Sequence, residues 1–172
     1  MTTKEIVTTE IKGNDLILSR LFNAPRSLVF KVWTSKEHLE KWWGPHFITK
    51  NKIEIDLRIG GKYKFVMCGP NGEEYPMRGV FTEVVKDERI SYSINLDGHP
   101  KEWFDMMFKK LDPSTKTLDS KHTIIFEEIG KRTKVSVIAH FNSPDVLNAF
   151  KGLGMIEGWS QSLEKLEVEL TK

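Results

Sequence analysis

Two side chains in this sequence could work as an acid–base or hydrogen-bonding pair. They are His122 and Glu83, and hairpin register places both on a face otherwise built of large apolar groups. In such surroundings burial moves the pKa of an imidazole or a carboxyl. If the register slips by one residue, both groups instead point to solvent, because a slip flips every side chain to the other face. Tyr63, Tyr75 and Tyr92 add hydroxyls that could orient a ligand, or rings that fill a core. The histidines, His38, His46, His99, His122 and His140, form neither a His-Glu-x-x-His pair nor a Cys/His cluster, so no metal site is expected. There is no Gly-x-Ser-x-Gly, and Cys68 has no activating neighbour in the chain. The run "GLGMIEG" (152–158) is one residue too long for a dinucleotide fingerprint and follows no strand directly. Its glycines read as close helix packing or as room for a ligand, and no cofactor is expected.

The chain that must position these groups has 172 residues, enough for one domain (1–172) with a substantial core. A net charge of +2 and a pI near 8.5 are too mild to argue for nucleic acid. Cys68, the only cysteine, cannot form an internal disulfide, which suits a reducing cytoplasm. "MTTKEIVTTE" lacks a signal-peptide pattern, and no apolar run approaches the roughly 20 residues that span a bilayer. A cytoplasmic protein without membrane insertion is therefore expected.

The order of periodicities predicts strand, two short helices, a long antiparallel meander and a long terminal helix. In "DLILSRLFNA" (15–24), Leu16, Leu18 and Arg20 share one face. Pro25 opens a helix whose apolar positions are Leu28, Val29, Val32 and Trp33. Thr34 or Ser35 caps a second helix bearing Leu39, Trp42 and Trp43, and Gly44-Pro45 stops it. Adjacent residues do not share a face, so the two tryptophans of this corner must diverge.

Turn chemistry then sets registers. A loop over 69–73 pairs Met67 with Tyr75, Phe65 with Met77 and Tyr63 with Gly79. Gly130-Lys131 as a type II′ turn pairs Phe126 with Val135, Ile124 with Val137 and His122 with Ala139. A loop over 86–89 pairs Val85 with Ile90, Glu83 with Tyr92 and Phe81 with Ile94. Ser143-Pro144 starts the terminal helical stretch, which is kinked around Gly152, Gly154 and Gly158. Its stripe of Met155, Trp159, Leu163, Leu166 and Leu170 lies on the concave sheet face, with Glu164, Glu167 and Glu169 opposite.

A sheet gripping one helix seldom closes fully, so an internal pocket is expected. Its candidate lining is Trp33 and Trp43 from the helical plug, with Tyr63, Phe65, Met67, Met77, Phe81, Glu83, Tyr92 and His122 from the strands. Trp103 and Met106 come from the unpatterned segment 97–121, and Met155 and Trp159 from the last helix. Flexible methionines among aromatic rings suit a deformable wall. The segment 97–121 reads as a lid, an added strand pair or a dimer contact.

The stretches "FNAPRSLVFKVWTSKEHLEKWWGPHFIT", "IDLRIGGKYKFVMCGPNGEEYPMRGVFTEVVKDERISY" and "GMIEGWSQSLEKLEVEL" closely resemble the family of activator of Hsp90 ATPase homologue 1-like proteins, within the START/Bet v 1-like superfamily. The resemblance runs from about Leu16 to Leu170. It implies an α+β helix-grip fold: a curved antiparallel sheet wrapped around a long C-terminal helix, two short helices after the first strand, and a hydrophobic cavity between sheet and helix. Superfamily relatives bind lipids, steroids or polyketides, and a few are cyclases or hydroxylase components. Three functions compete. The first is binding of a hydrophobic or amphipathic small molecule. The second is acid–base catalysis of the cyclase or dehydratase type through His122, Glu83 or a tyrosine. The third is an interaction protein, as a homodimer or an Hsp90 partner, presenting the 103–108 apolar cluster.

Overall fold

Alternating apolar and polar residues give way to helical spacing where the sequence predicts it, and residues 6–172 are described by the computed structural model. The strands are β1 (Thr8–Lys12), β2 (Asp15–Phe22), β3 (Lys50–Ile55), β4 (Lys62–Cys68), β5 (Glu74–Val85), β6 (Arg89–Ile94), β7 (Ser120–Ile129) and β8 (Arg132–His140). They form one curved antiparallel sheet in the order β1-β2-β8-β7-β6-β5-β4-β3. The helices are α1 (Arg26–Thr34), α2 (Lys36–Trp42), α3 (Lys101–Phe108), α4 (Pro144–Gly152) and α5 (Met155–Leu170). Leu16, Leu18, Ile124, Val135, Val137 and Ala139 of the sheet and Leu163 and Leu166 of α5 are all fully buried, which places the core between the concave face and the last helix.

Two hairpins adopt the expected registers. Met67 pairs with Tyr75 and Phe65 with Met77, while Phe126 pairs with Val135 and His122 with Ala139. Gly130 has φ 61 and Lys131 stays out of the left-handed region, as a type II′ turn requires. The β5–β6 hairpin differs. Asp87 takes φ 64 in a loop of three residues, so Val85 faces Arg89, and a bulge between Phe81 and Glu83 then sets Phe81 opposite Tyr92. Glu83 consequently pairs with Ser91 rather than Tyr92 and lies on the outer face.

Other differences are local. β1 was not expected; it pairs along β2 with all its residues exposed. On α1 Phe30 takes the inner position, its ring 5.2 Å from Phe126, and Leu28 is exposed. The Ser35 hydroxyl donates back to the Lys31 carbonyl at 2.6 Å and does not cap α2. The kink in the terminal helix is a complete break, with Gly154 at φ 89 between α4 and α5. Ser143 does cap α4, its hydroxyl accepting from the Val146 N–H. The three α5 acids opposite the stripe are all paired. Glu169 is buried and bonded to His38 at 2.8 Å, Glu167 pairs with the buried Arg20, and Glu164 lies 3.3 Å from His46.

The corner at 42–48 is held from two sides. Trp42 is fully buried and its indole donates to the Val32 carbonyl at 3.0 Å. Trp43 is extended (φ −63, ψ 133) and Gly44 turns at φ 93, where a Cβ would lie 2.8 Å from the Met67 sulfur. From β3, the Asn51 amide donates to the Trp43 carbonyl at 2.9 Å. From α5, the Lys165 ammonium faces four carbonyls: Ile48 at 2.9 Å, Gly44 at 3.1 Å, Pro45 at 3.4 Å and Trp43 at 3.5 Å. Lys165→Met removes the donors and leaves those oxygens half-buried. Its stability should fall by about 1–3 kcal/mol, read as a lower urea midpoint with an unchanged m-value. An unmoved midpoint would show that the carbonyls find water instead.

Candidate ligand-binding site

The corner, the sheet and the broken terminal helix line a hollow of about 240 Å³ that opens to solvent. Trp43, Gly44 and Pro45 form one wall, and Met67, Met77 and His122 of the sheet form the floor. Leu96, His99 and Trp103 close a second side, from the loop after β6 and from α3. Phe150 and Leu153 come from the end of α4, and Gly154, Met155, Gly158, Trp159 and Ser162 line the α5 side. A Cβ at Gly158 would meet no atom within 4 Å, so this glycine leaves space open on α5. The break at Gly154 turns Phe150 and Leu153 across the end of the hollow rather than along it.

Aromatic rings hold the walls edge to face. Trp43 and Trp159 lie 5.5 Å apart at 83°, and Trp43 meets Phe65 at 5.1 Å. Trp33 stacks behind Trp159 at 6.1 Å, and His122 lies 5.9 Å from the same indole. Among the described residues, no Asp, Glu, Lys or Arg lines the hollow. The Ser162 hydroxyl is spent inside α5, donating to the Gly158 carbonyl at 2.9 Å. The polar character therefore rests on two imidazoles. Burial, helped by the nearby His140, lowers the His122 pKa to about 3, and its Nδ1 sits 3.5 Å from the Tyr92 hydroxyl. Burial also lowers His99 to about 4 against an opposing pull from the Leu96 backbone, and its ring lies 4.5 Å from Trp103. Both rings are neutral at pH 7.

Of the residues expected at a cavity, Trp43, Met67, Met77, Trp103, His122, Met155 and Trp159 line this hollow. Trp33, Tyr63, Phe65, Phe81 and Tyr92 do not. They surround a gap of about 10 Å³, the size of a single water at most, and act as packed core. Burial raises the pKa of both Tyr63 and Tyr92, and the Tyr63 hydroxyl donates to the Ser93 carbonyl at 2.5 Å. Met106 is 49% exposed, because Trp103, Phe104 and Met107 occupy the inward arc of α3. The segment 97–121 is thus one short helix whose Trp103 closes the hollow, followed by irregular chain. Glu83 lies 3.6 Å from Arg89 and 3.5 Å from the Ser91 hydroxyl, on the face away from the hollow. There it ends a polar row crossing the strands. Ser91 meets Thr123 at 2.9 Å, Thr123 meets His140 at 3.3 Å, and His140 meets Asp15 at 2.8 Å. His99, Leu96, Phe150 and Leu153 were not anticipated; the Gly-His-Pro run before α3 was the one local signal for His99.

Among the described residues, no group of three or more His, Cys, Asp or Glu could hold a metal ion, and no helix is long and apolar enough to cross a membrane. A family model of Activator of Hsp90 ATPase homolog 1-like protein matches residues 23–171. No curated protein matches the chain. Among solved structures, a Nitrosomonas europaea protein is 26% identical with a TM-score of 0.75, covering 94% of this chain and 97% of its own. A Rhodobacter sphaeroides protein is 15% identical with a TM-score of 0.80, covering 96% and 98%. A Staphylococcus aureus protein described as of unknown function is 20% identical with a TM-score of 0.66, covering 93% and 94%.

The buried neutral His122 has a pH signature. Its folded pKa lies below the ordinary 6.5, so between pH 6.5 and about 3 the unfolded chain binds the proton and the folded one does not. Stability is unaffected above that window and falls as pH drops through it, by up to about 1.4 kcal/mol per pH unit for this group. Urea midpoints between pH 7 and 4.5 should therefore fall more steeply for the native protein than for His122→Leu. Parallel curves would mean that His122 takes up its proton without leaving its site.

Proposed function

The chain belongs to the Activator of Hsp90 ATPase homolog 1-like family, and on that premise we propose that it binds a hydrophobic or amphipathic small molecule between the sheet and α5. The observation that carries this reading is the hollow of about 240 Å³, walled by tryptophan, methionine and phenylalanine beside an otherwise fully packed core. Its apolar walls meet water when no guest is bound, so a guest that displaces this water gains hydrophobic burial and dispersion contacts. A ligand entering it loses apolar surface to protein at about 25 cal/mol per Å². The methionines Met67, Met77 and Met155 can repack around guests of different outline.

Binding is favoured over acid–base turnover by the state of His122. A histidine whose pKa has fallen to about 3 is a weak base at neutral pH, far from the matched pKa that proton transfer needs. Glu83, the other acid–base candidate, faces away from the hollow.

A fitting ligand at 100 times its dissociation constant stabilises the fold by about 2.7 kcal/mol, which for a chain of this size raises Tm by roughly 5–10 °C. Screening aromatic, sterol-like and fatty compounds by thermal shift, with native mass spectrometry of freshly purified protein, should give such shifts for compounds that fit. No shift across the set, with no co-purified small molecule, would overturn the binding reading.

A further inference from the structure

The wall chemistry of the hollow narrows its guest, given the binding reading above. Among the described residues the lining carries no charged side chain, so a carboxylate or ammonium carried deep between its walls would be desolvated with no counter-ion. His122 is 7% exposed, and its Nδ1 side is taken by Tyr92. Its Nε2 has no protein partner among the described residues, yet it is not one of the sealed, unbonded polar atoms, which are Arg20 Nε, Asn51 Oδ1 and His99 Nδ1. The free edge of the imidazole therefore borders the open space that the residue lines. The size of the hollow sets how much of a guest its walls surround. An apolar cavity of roughly 150 Å³ holds the six carbons of benzene, so by proportion the part of a guest held here is about ten non-hydrogen atoms.

We propose that the hollow selects an uncharged, ring-containing compound, of which it holds about ten non-hydrogen atoms, with one hydroxyl or similar group that bonds to His122 Nε2 while its rings lie among Trp43, Trp103 and Trp159. A hydroxyl both donates and accepts, so it suits whichever nitrogen of the neutral imidazole carries the proton. The edge-to-face spacing of Trp43 and Trp159 presents ring faces and edges that a flat aromatic guest can extend.

The test compares three probes of one shape at pH 7: naphthalene, 2-naphthol and the 2-naphthoate anion, titrated calorimetrically into the full chain. 2-Naphthol should bind about fivefold tighter than naphthalene, the worth of one neutral hydrogen bond, and at least about tenfold tighter than naphthoate. His122→Leu should abolish the naphthol advantage, read as the ratio of the naphthol and naphthalene affinities in the same variant. Equal binding of naphthol and naphthalene, a preference for naphthoate, or an advantage that survives His122→Leu would overturn this selectivity and leave the binding reading standing. If none of the three binds, this selectivity fails, and the binding reading is decided by the broader thermal-shift screen.

Discussion

The Lys165 ammonium, set among the carbonyls of Trp43, Gly44, Pro45 and Ile48, is the contact on which the arrangement of the site depends. These carbonyls lie in the loop after α2, outside any helix or strand ladder, and half-buried carbonyls need donors from elsewhere in the fold. Here the cation comes from α5 and a second donor, the Asn51 amide, from β3. One corner is thereby fastened to both layers of the fold. Trp43 leaves the helix in an extended conformation, so the two indoles stay in edge-to-face contact at 5.4 Å but serve different neighbours. Trp42 seals the space beneath α1, and Trp43 turns towards α5 and becomes a wall. Partial burial lowers the Lys165 pKa, the cost of withdrawing an ammonium from water.

The open space has local causes of its own. Gly154 breaks the terminal helix, which lets α4 cross the end of the hollow, and Gly158 withholds a side chain where α5 faces it. Nearer α1, the same concave face is filled by Phe126, Trp33 and Phe30 and leaves almost nothing. Packed and hollow halves therefore share one sheet face; both carry aromatic rings, with glycine and methionine among them on the hollow side and β-branched residues among them on the packed side.

Much of this was legible in residue order. The 69–73 and 130–131 turns carry glycine where the backbone demands it, so their registers and the inward direction of His122 followed from counting. The β5–β6 turn carries no such mark. Asp87 adopts a left-handed conformation that an aspartate only occasionally takes, and the bulge beside Glu83 leaves no trace in the alternation. That single irregularity moved Glu83 out of the site. The division between core and hollow was also hidden, because Phe65 and Met67 look alike in pattern and differ in their neighbours: Phe65 packs against Tyr63 and Trp43, and Met67 borders the open space. Segment 97–121 has too few turns of helix to show a period, so the placement of His99 and Trp103 depended on tertiary contacts with Tyr75 and Phe150.

Methionine methyls offer the most direct view of the central claim, that a guest sits between the sheet and α5. Met67, Met77 and Met155 border the hollow, Met107 is buried in the core and Met106 is exposed on α3. In a protein labelled at its methionine methyls, an aromatic guest should move the first three signals by ring-current shifts and leave those of Met106 and Met107 in place. Shifts confined to Met106, or none at saturating guest, would contradict it.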